Sequence, residues 1–460
     1  MKVVTRIAPS PTGYVHFGLA RTALFNYLYA KKHGGEFIVR VEDTDTARNK
    51  PEYEADILEQ LRWLNLTGDR QYRQSECVER HKECLKQLID AGKAYVSKEP
   101  AKDDATREVE VVRLKNPGER VTFTDLIRGE ISFDTTELKD FVIARSIRDP
   151  LYHFAVVVDD HDEGVTHVLR GDDHISNTPR QILILKALGF EIPAYAHLPL
   201  ILMPDKSKMS KRRHETSVKH YREAGILHEA LINYIALLGW TPPSGKEILS
   251  MDEMITEFDL MDLHKNGAVF DIEKLRWFNK EYLSRLPVEI FSEQALRIFQ
   301  EAVAERALPW DEKIGTILVS TVVKERIHTW YDIRTLTHEG EFDYFFKDPE
   351  PHADHISQKG SERAPSARGS GGPRELAAMH LNKVCGMLTA LPESDFKTSE
   401  EVKAALWDYA TETGRGEVLW PLRFALSGRA KSPDPFVIAS IVGKETSLRR
   451  IQEAIKLLGM

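Results

Sequence analysis

Two prolines and a glycine separate an apolar strand from an amphipathic helix in the stretch Thr5-Arg-Ile-Ala-Pro-Ser-Pro-Thr-Gly-Tyr-Val-His-Phe-Gly-Leu-Ala-Arg21. Pro9, Pro11 and Gly13 force a defined turn there, because proline fixes φ and glycine admits conformations closed to other residues. Leu19, Ala23, Leu24 and Leu28 then recur at helical spacing. A helix starting at such a turn presents unpaired N–H groups and the positive end of its dipole, a seat for phosphate. An ordinary strand–turn–helix connection reads the same way. The second element that separates the two readings lies downstream, in Leu200-Ile-Leu-Met-Pro-Asp-Lys-Ser-Lys-Met-Ser-Lys-Arg-Arg213. There an apolar strand leads through Pro204 and Asp205 into five cations between Lys206 and Arg213. Such a run by itself is a solvated face. Opposite a phosphate-seating turn, its flexible ammonium groups can close over a polyphosphate and neutralise charge as it develops.

Between these elements the pattern is that of an open α/β sheet. Glu36-Phe-Ile-Val-Arg-Val-Glu-Asp-Thr-Asp45 reads as a buried strand carrying Glu42, Asp43 and Asp45 at its C-terminal end, the edge where such sheets bind ligands. Pro51 opens a helix with Ile57, Leu58, Leu61 and Leu64, and a second helix runs from about Cys77 to Ala91, so the first hundred residues read β-α-β-α-α. From Ala94 to Asp149 alternating strands take over, at Val109–Leu114, Val121–Phe123 and Ile131–Phe133, with turn signals at Asn116-Pro-Gly and Arg128-Gly. Parallel strands resume at Tyr152–Asp160 and Val165–Arg170, followed by a helix from Thr178-Pro179 to Leu188-Gly189. The expected organisation is one nucleotide-binding fold in two halves, 1–93 and 150–216, around an inserted segment, 94–149. A helical region, 217–285, follows, and then an all-α domain, 286–460. Within the last domain, 349–373 holds Gly-Ser-Gly-Gly and several Pro and reads as a mobile connection. Thr398 with Glu401 suggests a capping box.

Composition adds exclusions. Cys77, Cys84 and Cys385 are odd in number and scattered, which fits a reducing cytoplasm and gives no disulfide or zinc framework. No apolar run reaches membrane-spanning length, and the N-terminus lacks a signal-peptide layout, so a cytoplasmic protein without a membrane partner is expected. The net charge of −8 argues against nonspecific nucleic-acid binding by the whole molecule. Residues 415–460 nevertheless carry eight Lys or Arg against four Asp or Glu, a local basic surface that suits RNA phosphates or simply a solvated helical face.

Taken together, Ala8-Pro-Ser-Pro-Thr-Gly-Tyr-Val-His-Phe-Gly18 and Lys208-Met-Ser-Lys-Arg212 resemble the two motifs of class I aminoacyl-tRNA synthetases. Phe37–Asp45, Tyr152–His161 and Arg170-Gly-Asp-Asp-His-Ile-Ser-Asn-Thr-Pro-Arg180 narrow the resemblance to the glutamyl-tRNA synthetase family, which it follows over most of residues 1–285 and more weakly to Pro421–Gly428. The resemblance implies a Rossmann-type catalytic domain with an inserted acceptor-binding segment, then an α-helical anticodon-binding domain. It also implies ATP-dependent activation of L-glutamate and its transfer to tRNA(Glu) by a monomer. His16, Gly18, Gly171, Asp173, Lys208 and Lys211 match the family's ATP-binding positions, and His16, Lys208 and Lys211 those that stabilise the reacting phosphates, with Mg²⁺ bridging phosphate oxygens. Arg6, Ser10, Glu42, Tyr152 and Arg170 match the glutamate pocket. Two cations and an anion are what an amino acid with two carboxylates and one ammonium requires, and Arg6, Arg170 and Glu42 supply them.

The chain departs from the family in places. Leu19 fills the slot of a second histidine in the general class I motif, and Val156 stands where some members carry asparagine. The inserted segment is short and has no cysteine cluster, so no zinc is expected. Pro9-Ser-Pro-Thr-Gly13 differs from the Pro-Glu-Pro-Asn-Gly of glutamine-charging relatives. Between Arg374 and Arg415 there is no arginine, a feature compatible with charging tRNA(Gln) as well as tRNA(Glu). A small-molecule nucleotidyltransferase would share the His-containing turn without needing a helical C-terminus, and a tRNA-binding protein with a decayed site would not need Arg6, His16, Glu42, Arg170 and Lys211 together.

Overall fold

The computed structural model describes residues 2–45, 47–100, 107–207, 217–357 and 372–459. It divides into two compact units, 1–282 and 283–460.

The first unit begins with β1 (Val4–Ile7), α1 (Phe17–Lys32), β2 (Glu36–Val41), α2 (Pro51–Trp63), β3 (Arg70–Arg73) and α3 (Val78–Asp90). β1, β2 and β3 form a parallel sheet, with Arg6 opposite Ile38 and Val39 opposite Gln71. The strand β3 was not expected. Its sequence, Arg-Gln-Tyr-Arg, is polar and mostly exposed, because an edge strand has only one neighbour and little to bury.

The segment after α3 contributes to two sheets. β4 (Ala94–Pro100), β5 (Glu108–Leu114), β8 (Phe141–Ser146) and β9 (Asp149–Pro150) make an antiparallel sheet. The hairpin of β6 (Arg120–Asp125) and β7 (Gly129–Asp134) joins the later strands β10 (His167–Gly171) and β11 (Ala194–Leu198), in the order β10-β11-β6-β7. A backbone bond from Thr166 N–H to the Val4 carbonyl, 3.0 Å, and one from Val4 N–H to Thr166 Oγ1, 2.9 Å, lay β10 beside β1. The connection through α1 leads from β1 to β2 on one side. That through α5 (Thr178–Leu188) leads from β10 to β11 on the other. The reversal of strand order at β1/β10 opens a crevice at the C-terminal strand ends, where α/β sheets take their ligands.

One expectation fails here. Tyr152–Asp160 is not a strand but the bulk of helix α4 (Tyr152–Asp162). Every residue from Phe154 to Asp160 is buried, so no face is polar and the helical period leaves no trace in the sequence. The run of three valines favours a strand locally, and packing against α3 and α5 overrides that preference. The helix from Thr178 ends as expected at Gly189, in the left-handed region at φ 75°. Its first residue does not cap it: the Thr178 hydroxyl is engaged elsewhere.

Helices cover both faces of the sheet. Phe37 and Val39 of β2 share a core with Leu24, Leu28, Leu231 and Phe258, whereas Ile38 faces a second core with Leu85, Phe154 and Ile184. This alternation is the signature of a strand buried on two sides. α6 (Val218–Glu223), α7 (His228–Ala236), α8 (Met251–Glu257) and α9 (Ile272–Arg285) follow, with Ala230, Leu231, Tyr234 and Ile235 buried in the first core.

Among its described residues the second unit contains helices and no strand. Its longer helices are Val288–Glu305, Pro373–Ala390, Ser399–Thr413, Arg415–Ser427 and Pro435–Leu457, the last interrupted at Gly443, φ 81°. Thr398 caps its helix by accepting from Glu401 N–H at 3.3 Å, while the Glu401 carboxylate takes the Thr398 hydroxyl rather than the N-cap amide, so half of the expected box forms. Of the stretch 349–373, Ala353–Ser357 is a short helix with Ile356 buried, Pro373 opens the next helix, and 358–371 lie outside the described residues.

Candidate active site

The Pro9–Gly13 turn is pinned at both ends of its course. Pro9 carbonyl accepts from Glu42 N–H at 2.9 Å, and Pro11 carbonyl from Lys50 N–H at 3.1 Å. Ser10, between them, is exposed at the rim of the crevice. The turn then delivers His16 as the N-cap of α1, its Nδ1 accepting from Leu19 N–H at 3.3 Å. An imidazole whose Nδ1 accepts carries its proton, when neutral, on Nε2. Gly18 is required by this arrangement: a Cβ there would lie 3.0 Å from the His16 ring. Leu19 packs against the first core and donates the amide that fixes the histidine, so a second histidine in its place is not needed for the cap.

His16 also pairs with Ser217 through an antiparallel bridge, flanked by a bond from Val218 N–H to the Val15 carbonyl, 2.8 Å. Ser217 is the first described residue after 208–216, and Lys208 and Lys211 lie outside the described residues. The chain leaves the described part at Ser207, after β12 (Ile201–Leu202), and returns beside His16. The chain that follows the second motif thus rejoins the described residues beside the first, Ser217 against His16.

Across the crevice stand the expected glutamate-pocket residues. Arg6, at the end of β1, is 3% exposed, and its Nε donates to Asp160 Oδ1 at 3.0 Å. Arg40 of β2, fully buried, donates to the same oxygen at 2.7 Å, to both Glu163 oxygens at 3.2 Å, and to Glu42 Oε1 at 3.3 Å. Burial works against the Asp160 charge, yet the two guanidiniums prevail and hold its carboxyl below the usual range. At Glu42 burial dominates over Arg40 and Arg6 and pushes the carboxyl up to about 7. Tyr152 opens α4 beside these groups, its phenol raised by burial and by the Glu42 charge, with its hydroxyl 3.3 Å from His174 Nδ1.

Arg170 is held differently. Its Nη1 donates to Gln181 Oε1 at 2.7 Å, its Nη2 to Thr178 Oγ1 at 2.7 Å and its Nε to His197 Nε2 at 3.2 Å. All three acceptors are neutral, and among the described residues no carboxylate forms an ion pair with this buried guanidinium. The next residue, Gly171, leaves space for the Asp173 carboxylate, which a Cβ at Gly171 would meet at 2.6 Å.

Arg40, Asp160, Thr178, Gln181, His197 and Asp125 were not singled out from sequence. Two of them carried a signal: Arg40 is the one cation inside Glu36–Val41, and His197 the one imidazole in Ala194–Leu198, and such groups must find partners.

A family model described as the catalytic domain of class I tRNA synthetases (E and Q) matches residues 2–104 and 97–277, and one described as an anticodon binding domain matches 302–455. The chain is 36% identical to the glutamate–tRNA ligase of Desulforamulus reducens over 99% of its own length and all of the relative's. With that of Aquifex aeolicus it shares 38% identity over 99% of each chain. A solved glutamate tRNA ligase from Elizabethkingia meningosepticum, in complex with its amino acid, superposes with a TM-score of 0.83 at 32% identity, covering all of both chains.

Proposed function

The chain belongs to the glutamate–tRNA ligases, class I aminoacyl-tRNA synthetases with a helical anticodon-binding domain, and from that membership we propose how its residues divide the two-step reaction. In the first step the glutamate α-carboxylate attacks the α-phosphorus of ATP, the bond to the β-phosphate oxygen breaks, and pyrophosphate leaves. In the second, the terminal ribose hydroxyl of tRNA(Glu) attacks the activated carbonyl and releases AMP. Neither step needs a protein nucleophile; positioning and charge stabilisation carry both.

Arg170 receives the α-carboxylate, Glu42 the ammonium, and Arg6 with Tyr152 the side-chain carboxylate, with Ser10 at the rim. The observation that carries this reading is the meeting of Arg6, Glu42, Tyr152 and Arg170 around one crevice, close enough that Arg6 acts on the Glu42 carboxyl and that Glu42, Arg170 and Arg6 all act on the Tyr152 phenol. The Gln181 amide nitrogen, buried without an acceptor among the described residues, adds a donor to the same wall. His16 Nε2–H and the α1 N-terminus face the ATP phosphates. Gly18 and Gly171 let the nucleotide approach, Asp173 takes the adenosine, and Lys208 and Lys211 stabilise the leaving pyrophosphate.

Class I synthetases use ATP with a divalent ion. Among the described residues no group of three or more His, Cys, Asp or Glu is arranged to hold one; Mg²⁺ arriving with ATP would supply charge neutralisation at the phosphates. No described helix is long and apolar enough to cross a membrane, which is compatible with a cytoplasmic monomer.

Glutamate-dependent ATP–pyrophosphate exchange, run with and without tRNA, tests the assignment. Its absence under both conditions refutes it. Charging tRNA(Glu) and tRNA(Gln) side by side then reports whether the second helical unit discriminates between them.

A further inference from the structure

Arg170 cannot hold its own orientation, and the groups that hold it lead away from the glutamate pocket into the inserted hairpin. Its Nε has only a proton to offer, so His197 Nε2, 3.2 Å away, must accept. The Thr178 hydroxyl, which accepts from Arg170 Nη2, stands 3.1 Å from the same ring nitrogen. The proton of His197 is therefore on Nδ1, where it is donated to Asp125 Oδ2 at 2.6 Å. The same carboxylate oxygen accepts from His197 N–H at 3.0 Å, and Oδ1 accepts from the turn amides of Ile127 and Arg128, each at 2.9 Å. Asp125, Thr178 and His197 are at most 1% exposed. Both oxygens of the Asp125 carboxylate are thus filled by fixed donors, two on each, so it has one available arrangement.

A second link runs in parallel. Arg128, three residues on in the same turn, donates through Nε to Asp172 Oδ1 at 3.0 Å and through Nη2 to Asp172 Oδ2. Asp172 lies two residues after Arg170, beyond Gly171. The β6–β7 turn thus grips the Arg170–Asp172 segment from two sides: on the guanidinium through His197, and on the backbone beyond it through Asp172.

We propose that Asp125 and His197 are positioning residues for amino-acid activation: by fixing the imidazole as its Nδ1–H tautomer they lock the Arg170 guanidinium in the orientation that presents the glutamate α-carboxylate to ATP. The inference rests on the assignment of Arg170 to that carboxylate. Asp125→Asn places an amide against His197 Nδ1. The ring then moves its proton to Nε2, where it opposes the Arg170 Nε–H, donor against donor. Nothing on the ATP-phosphate side of the crevice changes.

Exchange assays at saturating tRNA, with folding checked by melting and tRNA binding, read the effect. Asp125→Asn and His197→Gln should raise the glutamate KM on the order of 10–100-fold, the range for supporting groups behind a ligand-binding residue, with the ATP KM unchanged. Inhibition by 4-aminobutyrate, which keeps the ammonium and the distal carboxylate but lacks the α-carboxylate, should be unaltered. A merely structural defect would weaken it as well. Arg170→Gln is the control. If it leaves the glutamate KM unchanged, the assignment of Arg170 falls. If it raises the KM and neither Asp125→Asn nor His197→Gln does, the positioning role falls. Should both variants fail to fold, the native enzyme decides: ¹⁵N-labelled histidine must give a downfield Nδ1–H resonance with a bare Nε2, and the opposite tautomer overturns the proposal.

Discussion

Arg6 and Asp160, 154 residues apart, share one buried hydrogen bond, Nε to Oδ1 at 3.0 Å, on an oxygen that Arg40 also claims at 2.7 Å. Two guanidiniums on neighbouring strands thus share one carboxylate of α4, which pairs with Arg6 and is one of several partners of Arg40. Asp160→Asn keeps the shape but removes the charge, leaving the pair under-neutralised. Stability should fall by about 3–5 kcal/mol, the usual cost of breaking a buried ion pair, measured by denaturant unfolding. In the folded fraction the glutamate KM should rise, because Arg6 loses its orientation.

Glu42 sets a pH dependence of opposite sense to that of an ordinary paired carboxylate. Its folded pKa of about 7 lies above the unfolded value, so between the two the native state holds the extra proton. Stability from this group is therefore full at acid pH and falls as pH rises towards 7. Glu42→Gln should melt higher than the wild type at pH 8, by up to roughly 3 kcal/mol, and gain little near pH 5. Substrate binding follows the same titration. Below about pH 7 the ammonium must displace a proton, and the glutamate KM should climb towards about tenfold per pH unit; a flat profile from pH 6 to 8 would remove Glu42 from the pocket.

Gly18→Ala separates activity from stability. The added methyl meets the His16 ring at 3.0 Å and swings it off Leu19 N–H. Alanine is the better helix former in the first turn of α1 by up to about 1 kcal/mol, and loss of the His16 cap costs a similar amount, so melting should change little. Exchange should nevertheless drop on the order of 10–100-fold, the scale of losing a positioned phosphate donor.

Lys211→Ala should depress adenylate formation while tRNA binding, measured by filter retention, stays nearly intact. Loss of tRNA binding with normal exchange would contradict its role at the pyrophosphate.

How far the sequence could be read depended on whether a feature left a local trace. The Pro9–Gly18 turn did, since each residue there answers a nearby steric demand: Gly18 makes room for a ring two residues away. Arg6, Glu42 and Arg170 could be singled out because they sit at strand ends next to motif residues. Tyr152–Asp160 was misread because a helix buried on every face has no polar side to reveal its period. Asp125 and His197, 72 positions apart, were invisible for a different reason. One aspartate at a hairpin and one histidine in a strand have no spacing to recognise, and only the pairing of β6 with β11, Asp125 opposite Tyr195, brings them together.

The uneven neutralisation of the buried Arg6, Arg40 and Arg170 has a consequence for how an amino acid enters. On the β1–β2–α4 wall, Arg6 and Arg40 are met by Glu42, Asp159, Asp160 and Glu163, whereas among the described residues no carboxylate forms an ion pair with Arg170 on β10. The crevice is therefore polarised, negative towards β2 and positive towards β10. A zwitterion is a dipole of a few ångströms, and in a dry cleft such a field exerts a torque on it before any hydrogen bond forms. On the proposed assignment of the pocket, an incoming amino acid would be turned with its ammonium towards β2 and its reactive carboxylate towards β10 before its side chain is tested.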